Sequence, residues 1–180
     1  MEPLEIAEKL KKQFPDDLEE PVLFAGQVSI SVSRESIKRV AEFLHQDQEL
    51  AFDYLADLCG CDYPDRDERF EIVYNLRSIK YNHFLRLKVE LPEEEAEIDS
   101  LSGIWAAAEW FEREVYDMFG IRFLNHLDLR RILMPEDWNG YPLRKDFPLQ
   151  GQEDWEWPAL EEVKFLHEND KVWQINSKRP

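Results

Sequence analysis

The feature that most constrains this chain is a period of two that its apolar residues keep in four separate runs between Val22 and Leu91. Val22, Phe24, Val28, Ile30 and Val32 share one parity, while Gln27, Ser29 and Ser31 take the other. A strand turns successive side chains to opposite faces, so this run predicts a half-buried strand. Leu50, Phe52, Tyr54, Ala56 and Leu58 alternate in the same way, as do Phe70, Ile72, Tyr74 and Leu76, and then Leu85, Leu87, Val89 and Leu91. The last two runs stand close enough to form a hairpin. Helical spacing surrounds them. Pro3 suits a first helical position before Ile6, Ala7, Leu10 and Phe14, and Ser33 suits an N-cap before Ile37, Val40, Ala41 and Leu44. The third stripe is Leu101, Ile104, Trp105, Ala108, Phe111, Val115, Met118 and Phe119, with Asp99 or Ser100 as cap and Gly120 as stop. The order αβαβββα predicts an α+β fold over residues 1–123: a two-layer sandwich with helices on one face of a mixed, mostly antiparallel sheet. Residues 124–180 are expected to form an extended docking segment and a long C-terminal tail.

From Leu124 onward no period survives, yet the segment to the end holds four of the six tryptophans, Trp138, Trp155, Trp157 and Trp173. A disordered linker is poor in aromatics, so this stretch must lie over a surface, its own domain's or a partner's. Charge narrows the partners. Lys and Arg number 22 against 39 Asp and Glu, a net charge of −17 that repels phosphate backbones and argues against nucleic acid. No apolar run approaches the roughly 20 residues of a membrane span, so any membrane association is expected through partners. The N-terminal residues have neither a signal peptide's apolar run nor an Arg-rich, acid-poor character, which points to a bacterial cytosol. Between Leu124 and Leu149, Arg130, Arg131, Arg144 and Lys145 balance Asp128, Glu136, Asp137 and Asp146. A neutral, aromatic stretch on an acidic body has the composition of an interface, with Asp128, Arg130, Arg131, Trp138, Tyr141, Arg144, Lys145 and Phe147 as its expected contacts.

Residues able to carry chemistry are few. Glu112 lies about 20° from Leu101 and Phe119 on a helical wheel, inside the apolar stripe. A carboxylate there must be paired or protonated. Arg130 and Arg131 are the expected partners of a structural ion pair, and a general acid is the competing reading. Glu109, Arg113 and Asp117 read as an exposed charge ladder. Cys59 and Cys61 are too close to bridge easily and too few for a zinc or iron–sulfur site. Glu112, Glu114, His126 and Asp128 could be assembled into a carboxylate- or metal-dependent hydrolase only without the clustered histidines such sites use. Glycine-rich phosphate loops and nucleophile elbows are missing. No catalytic, cofactor-binding or metal-binding residue is therefore expected in this chain.

One long signature remains. Glu112–Arg113–Glu114, Asp117–Met118–Phe119–Gly120, Asp128–Leu129–Arg130–Arg131, Pro135–Glu136–Asp137–Trp138 and Pro142–Leu143–Arg144–Lys145–Asp146–Phe147 follow one another in register. Together they closely resemble the C subunit of the proton-translocating NADH:quinone oxidoreductase, respiratory complex I, the family also called the 30 kDa subunit. The family usually has proline between the histidine and the aspartate where this chain has Leu127. The resemblance implies a peripheral-arm subunit on the cytoplasmic side of a bacterial inner membrane. It implies contacts with the homologue of the complex's D subunit, with the B and I iron–sulfur subunits and with other peripheral-arm subunits. It also implies that FMN, iron–sulfur clusters and quinone belong to those partners. Related subunits serve membrane-bound hydrogenases and complexes with other electron donors, and the signature leaves that alternative open.

Overall fold

Alternation becomes a sheet, and parity decides what the sheet buries. The computed structural model describes residues 1–149. Its elements run α1 (Pro3–Gln13), β1 (Val22–Phe24), β2 (Gln27–Ser31), α2 (Ile37–Gln46), β3 (Tyr54–Asp62), β4 (Phe70–Arg77), β5 (Phe84–Leu91), β6 (Glu97–Asp99), α3 (Ala108–Phe119) and β7 (Arg122–Leu124). The main sheet has the order β1-β2-β5-β4-β3, antiparallel throughout except between β2 and β5. β6 and β7 form a separate parallel pair. Leu58, Tyr74, Leu87 and Ile30 stand side by side across four strands and are all buried. The row behind them, Cys59, Val73, Lys88 and Ser31, is on the opposite, more polar face. The three helices add their buried stripes to the apolar face alone, which makes the expected two-layer α+β sandwich. β4 and β5 form the expected hairpin, and α1 starts at Pro3.

Several boundaries differ from the sequence reading, each for a local reason. The run from Val22 to Val32 is a hairpin rather than one strand. Ala25 and Gly26 adopt φ of 49° and 78°, the doubly left-handed turn that suits a two-residue connection. Reversal pairs Val22 with Ser29 and Phe24 with Gln27, so these two apolar side chains leave the core face and stay exposed. The run from Leu50 changes parity: Phe52 and then Leu55 are buried, Tyr54 is exposed, and a register shift beside Ala56 returns Leu58 to the core. The third helix begins at Ala108, not Leu101, and residues 101–107 are successive turns. There Leu101 O accepts from both Ile104 and Trp105 N–H at 2.9 and 3.0 Å, and Trp105 Nε1 donates to Phe52 O at 3.0 Å. For α2 the cap position is Ser36, whose hydroxyl bonds Asp17 instead of the helix.

The first compact unit runs from Met1 to Phe147 and so takes in both residues 1–123 and the segment that follows them. Residues 150–180, with Trp155, Trp157 and Trp173, lie outside the described residues. Among the described residues no helix is long and apolar enough to cross a membrane.

Candidate functional site

Helix α3 is covered on two sides, and this governs everything around it. Ala108, Glu112, Val115 and Phe119 turn to the sheet, where Gly60 leaves room for the Phe119 ring. A Cβ on Gly60 would stand 2.8 Å from Phe119 Cδ2. Arg113 and Asp117 lie about 140° and 180° from Ala108 around the helix. Both are buried, Asp117 completely, so they are no exposed ladder. The cover is the ribbon of residues 124–147, which has no regular structure beyond Leu124.

Buried polar groups fasten that ribbon. Arg113 Nε and Nη2 donate to the carbonyls of Arg130 and Arg131, each at 3.1 Å. Asp117 Oδ2 accepts three successive backbone N–H groups, from Ile132, Leu133 and Met134, at 3.0, 2.7 and 2.8 Å. Its Oδ1 meets Arg131 Nη1 at 2.6 Å, and Arg131 Nη2 continues to Gly140 O at 3.1 Å. Burial alone would push the Asp117 carboxyl up, but the Met134 N–H, Arg131 and the other donors hold it below the ordinary carboxylate range.

The end of the ribbon returns to the sheet. Leu143 N donates to Met118 O at 3.1 Å, Arg144 Nε to Phe119 O at 2.6 Å, and Lys145 N to Asp62 Oδ2 at 2.7 Å. Arg69 gathers Asp62, Glu93 and Asp146 at 2.8, 2.8 and 3.0 Å, and this guanidinium lowers the carboxyl pKa of both Asp62 and Asp146. Tyr141 lies flush against Gly120, whose φ is 79° and where a Cβ would stand 2.5 Å from the ring. The Arg144 and Arg131 guanidinium carbons sit 4.7 and 5.4 Å from the same ring's centroid.

The expected pairing of Glu112 with Arg130 or Arg131 does not form. Glu112 is fully buried, but its carboxylate accepts from Ser100 Oγ at 2.6 Å and Leu101 N at 2.7 Å. Arg131 is committed to Asp117, and Arg130 pairs with Asp128 at 3.0 Å on the surface. The turns at 100–107 bring Ser100 and Leu101 to the carboxylate, which an unbroken helix from Leu101 would not do. Burial pushes the Glu112 carboxyl up to about 7, with the Ser100 and Leu101 hydrogen bonds pulling the other way.

The expected interface residues divide between two sides. Arg131, Tyr141 and Arg144 face the body, as just described. Trp138 and Phe147 are half-buried and lie against each other, ring centroids 6.1 Å apart. Asp128, Arg130 and Lys145 are exposed. Composition hides the apolar part of the outer side: Leu127 is 96% exposed, Leu133 61% and Leu143 51%, with Trp110 exposed on α3. The hydrolase set does not converge. Glu114 is exposed, Asp128 is taken by Arg130, and His126 Nε2 donates to Glu109 O at 3.0 Å. Among the described residues no three His, Cys, Asp or Glu side chains stand where they could hold a metal ion.

A family profile described as "Respiratory-chain NADH dehydrogenase, 30 Kd subunit" matches residues 30–153, a span that starts within β2 and takes in the whole ribbon. The chain belongs to this family. The C subunit of the NADH-quinone oxidoreductase of Hyphomonas neptunium is 40% identical over 170 residues, covering 94% of this chain and 83% of that protein. Its counterpart in a Roseiflexus species is 44% identical over 168 residues, covering 93% and 91%. Among solved structures, the trypsin-resistant fragment of Nqo5 superposes with a TM-score of 0.59 at 32% identity, covering 72% of this chain and 100% of the fragment. A chain of the archaeal membrane-bound sulfane sulfur reductase shares the fold at a TM-score of 0.70 and 22% identity, covering 90% of each. This member of the 30 kDa subunit family is thus a subunit of an oxidoreductase complex, and its partners are other subunits of such a complex.

Proposed function

We propose that this chain is a non-catalytic peripheral-arm subunit of proton-translocating NADH:quinone oxidoreductase. It supports the quinone-reducing module by docking to the homologue of the complex's D subunit and to the B and I iron–sulfur subunits. It works on the cytoplasmic side of the bacterial inner membrane and reaches the membrane only through the complex. FMN, iron–sulfur clusters and quinone reside on partner subunits, and this chain holds none of them. The observation that supports this reading is the two-sided ribbon. Its polar groups are engaged with α3 and the sheet edge, while Leu127, Leu133 and Leu143 stand outward.

Covering a leucine that is now exposed is worth about 1.5–3 kcal/mol, so losing three such contacts lowers occupancy of a complex well beyond tenfold. The test is the triple substitution Leu127→Ser, Leu133→Ser and Leu143→Ser in the native host. The expected outcome is a folded subunit depleted from the membrane-bound complex, with quinone reductase activity falling in proportion to the complex lost. Full assembly combined with slow turnover would instead give the ribbon a part in the reaction.

A further inference from the structure

We infer that Glu112 is the proton-binding group of a built internal site, loaded from solvent through the hydroxyls of Ser102 and Ser100. Tyr74 and His126 bound this site. The geometry comes first. Glu112 is fully buried, and among the described residues no Lys or Arg reaches it. A carboxylate removed from water without a cation is costly, and taking up a proton removes that cost.

The surroundings supply no competing charge. From β4 comes Tyr74, a buried phenol whose oxygen has no hydrogen-bond partner among the described residues. Its own pKa is pushed well above the phenol range, by burial first and then by the charge of Glu112. From the ribbon comes His126, its side chain fully buried, with Nε2 at 3.9 Å from Glu112 Oε2. Both ring nitrogens are already committed: Nε2 donates to Glu109 O at 3.0 Å, and Nδ1 accepts from Asp128 N–H at 3.0 Å. β3 meets the helix with Gly60. On α3 itself, Arg113 and Asp117 are turned away to the ribbon. Beside the site, Asp99 bonds Asn125 Nδ2 at 3.1 Å.

A route leads out. Ser100 Oγ lies 2.6 Å from Glu112 Oε2 and 2.7 Å from Ser102 Oγ, and Ser102 is only half-buried. Loading is a relay. A solvent proton joins Ser102 Oγ as its own hydroxyl proton passes to Ser100 Oγ, and the Ser100 proton passes to Glu112 Oε2. Each serine ends neutral and the carboxylate becomes a carboxylic acid, so one proton has moved and nothing else has changed charge. Burial raises the Glu112 carboxyl to about 7, so loading and unloading fall near neutral pH.

The experiment is a pH titration of the full chain by NMR, with glutamate side-chain carboxyl carbons labelled. The wild type is expected to show one glutamate with a midpoint near 7, about two and a half pH units above ordinary glutamates. That signal should vanish in Glu112→Gln and persist in His126→Gln. Ser102→Ala is expected to keep the midpoint while slowing proton exchange at Glu112 by roughly tenfold or more. A Glu112 signal that titrates with the surface carboxylates overturns the site. So does a midpoint lost in His126→Gln, because the proton then belongs to the imidazole. Unchanged exchange in Ser102→Ala overturns the route.

Discussion

Residues 1–123 and the ribbon of 124–147 are fastened by different forces. The body closes over side chains such as Phe52, Leu44, Ile72 and Tyr74, all fully buried, and its strands and helices exist to keep them there. In the ribbon the whole residues are exposed or half-buried, with the His126 side chain enclosed and Leu129 and Met134 packed on the core. It stays in place because charged groups inside the body, above all Arg113 and Asp117, reach its main chain. Burial scales with area and tolerates small errors of position, whereas hydrogen bonds to a buried ion demand alignment and fail when one partner goes. A folded unit can therefore have one part secured by amount and another by placement.

Substitutions should separate the two. Trp105→Ala strikes the body, emptying a buried site and releasing Phe52 O, and is expected to cost about 3–5 kcal/mol in denaturant melts. A loss under about 1 kcal/mol would mean that Trp105 is not a core residue. Asp117→Ala strikes the ribbon by stranding Arg131 and three N–H groups. Its cost should approach about 3 kcal/mol, and trypsin should cut faster after Arg130 and Arg131. Unchanged cleavage would show that the ribbon is held mainly elsewhere.

Acidity offers a third probe. Glu112 is an acid whose folded pKa, about 7, exceeds its ordinary 4.5, so the folded state holds a proton that the unfolded state has released. Stability from this group is full below about 4.5 and falls as pH rises through about 7, by about 3 kcal/mol in all. Glu112→Gln should flatten that slope and be the more stable protein at pH 8. Asp117 runs the other way: its depressed pKa gives stability that is lost as pH falls through the acid range. A wild type whose stability does not change between pH 5 and 8 would contradict the Glu112 assignment.

Smaller effects mark the seam. Gly120→Ala forces a side chain into a left-handed position and against Tyr141, at a cost of about 1–3 kcal/mol. Adding Tyr141→Ala should remove the clash but not the backbone strain. A full recovery in the double variant would show that the φ of 79° is adjustable. Leu133→Ser, on the outer side, should change the isolated subunit's stability by no more than about 0.5 kcal/mol.

Legibility follows the same division. The period of two reveals the sheet and its buried face, and the helical stripes reveal three helices, because both report area taken from water. The hairpin at Ala25–Gly26 escapes that reading because a two-residue turn leaves the run's parity intact on paper while reversing it in space. Arg113 and Asp117 look like surface charges because the wheel shows a second face of α3 without showing what covers it. Glu112 is legible as an inside residue. Its partners are not, since a serine and a backbone N–H carry no charge to draw attention. The outward leucines are hidden because arginine and tryptophan dominate the composition of the segment.

The three N–H groups on Asp117 and the two carbonyls on Arg113 belong to the peptide chain, not to side chains. A clamp that holds main chain does not read spelling. Any residues other than proline at 132–134 can supply those donors, so the outer side chains are free to be rewritten while the attachment stays fixed. An engineer could rewrite the outward Leu133 without rebuilding the domain beneath it, whereas Met134 packs on the core and has to stay apolar.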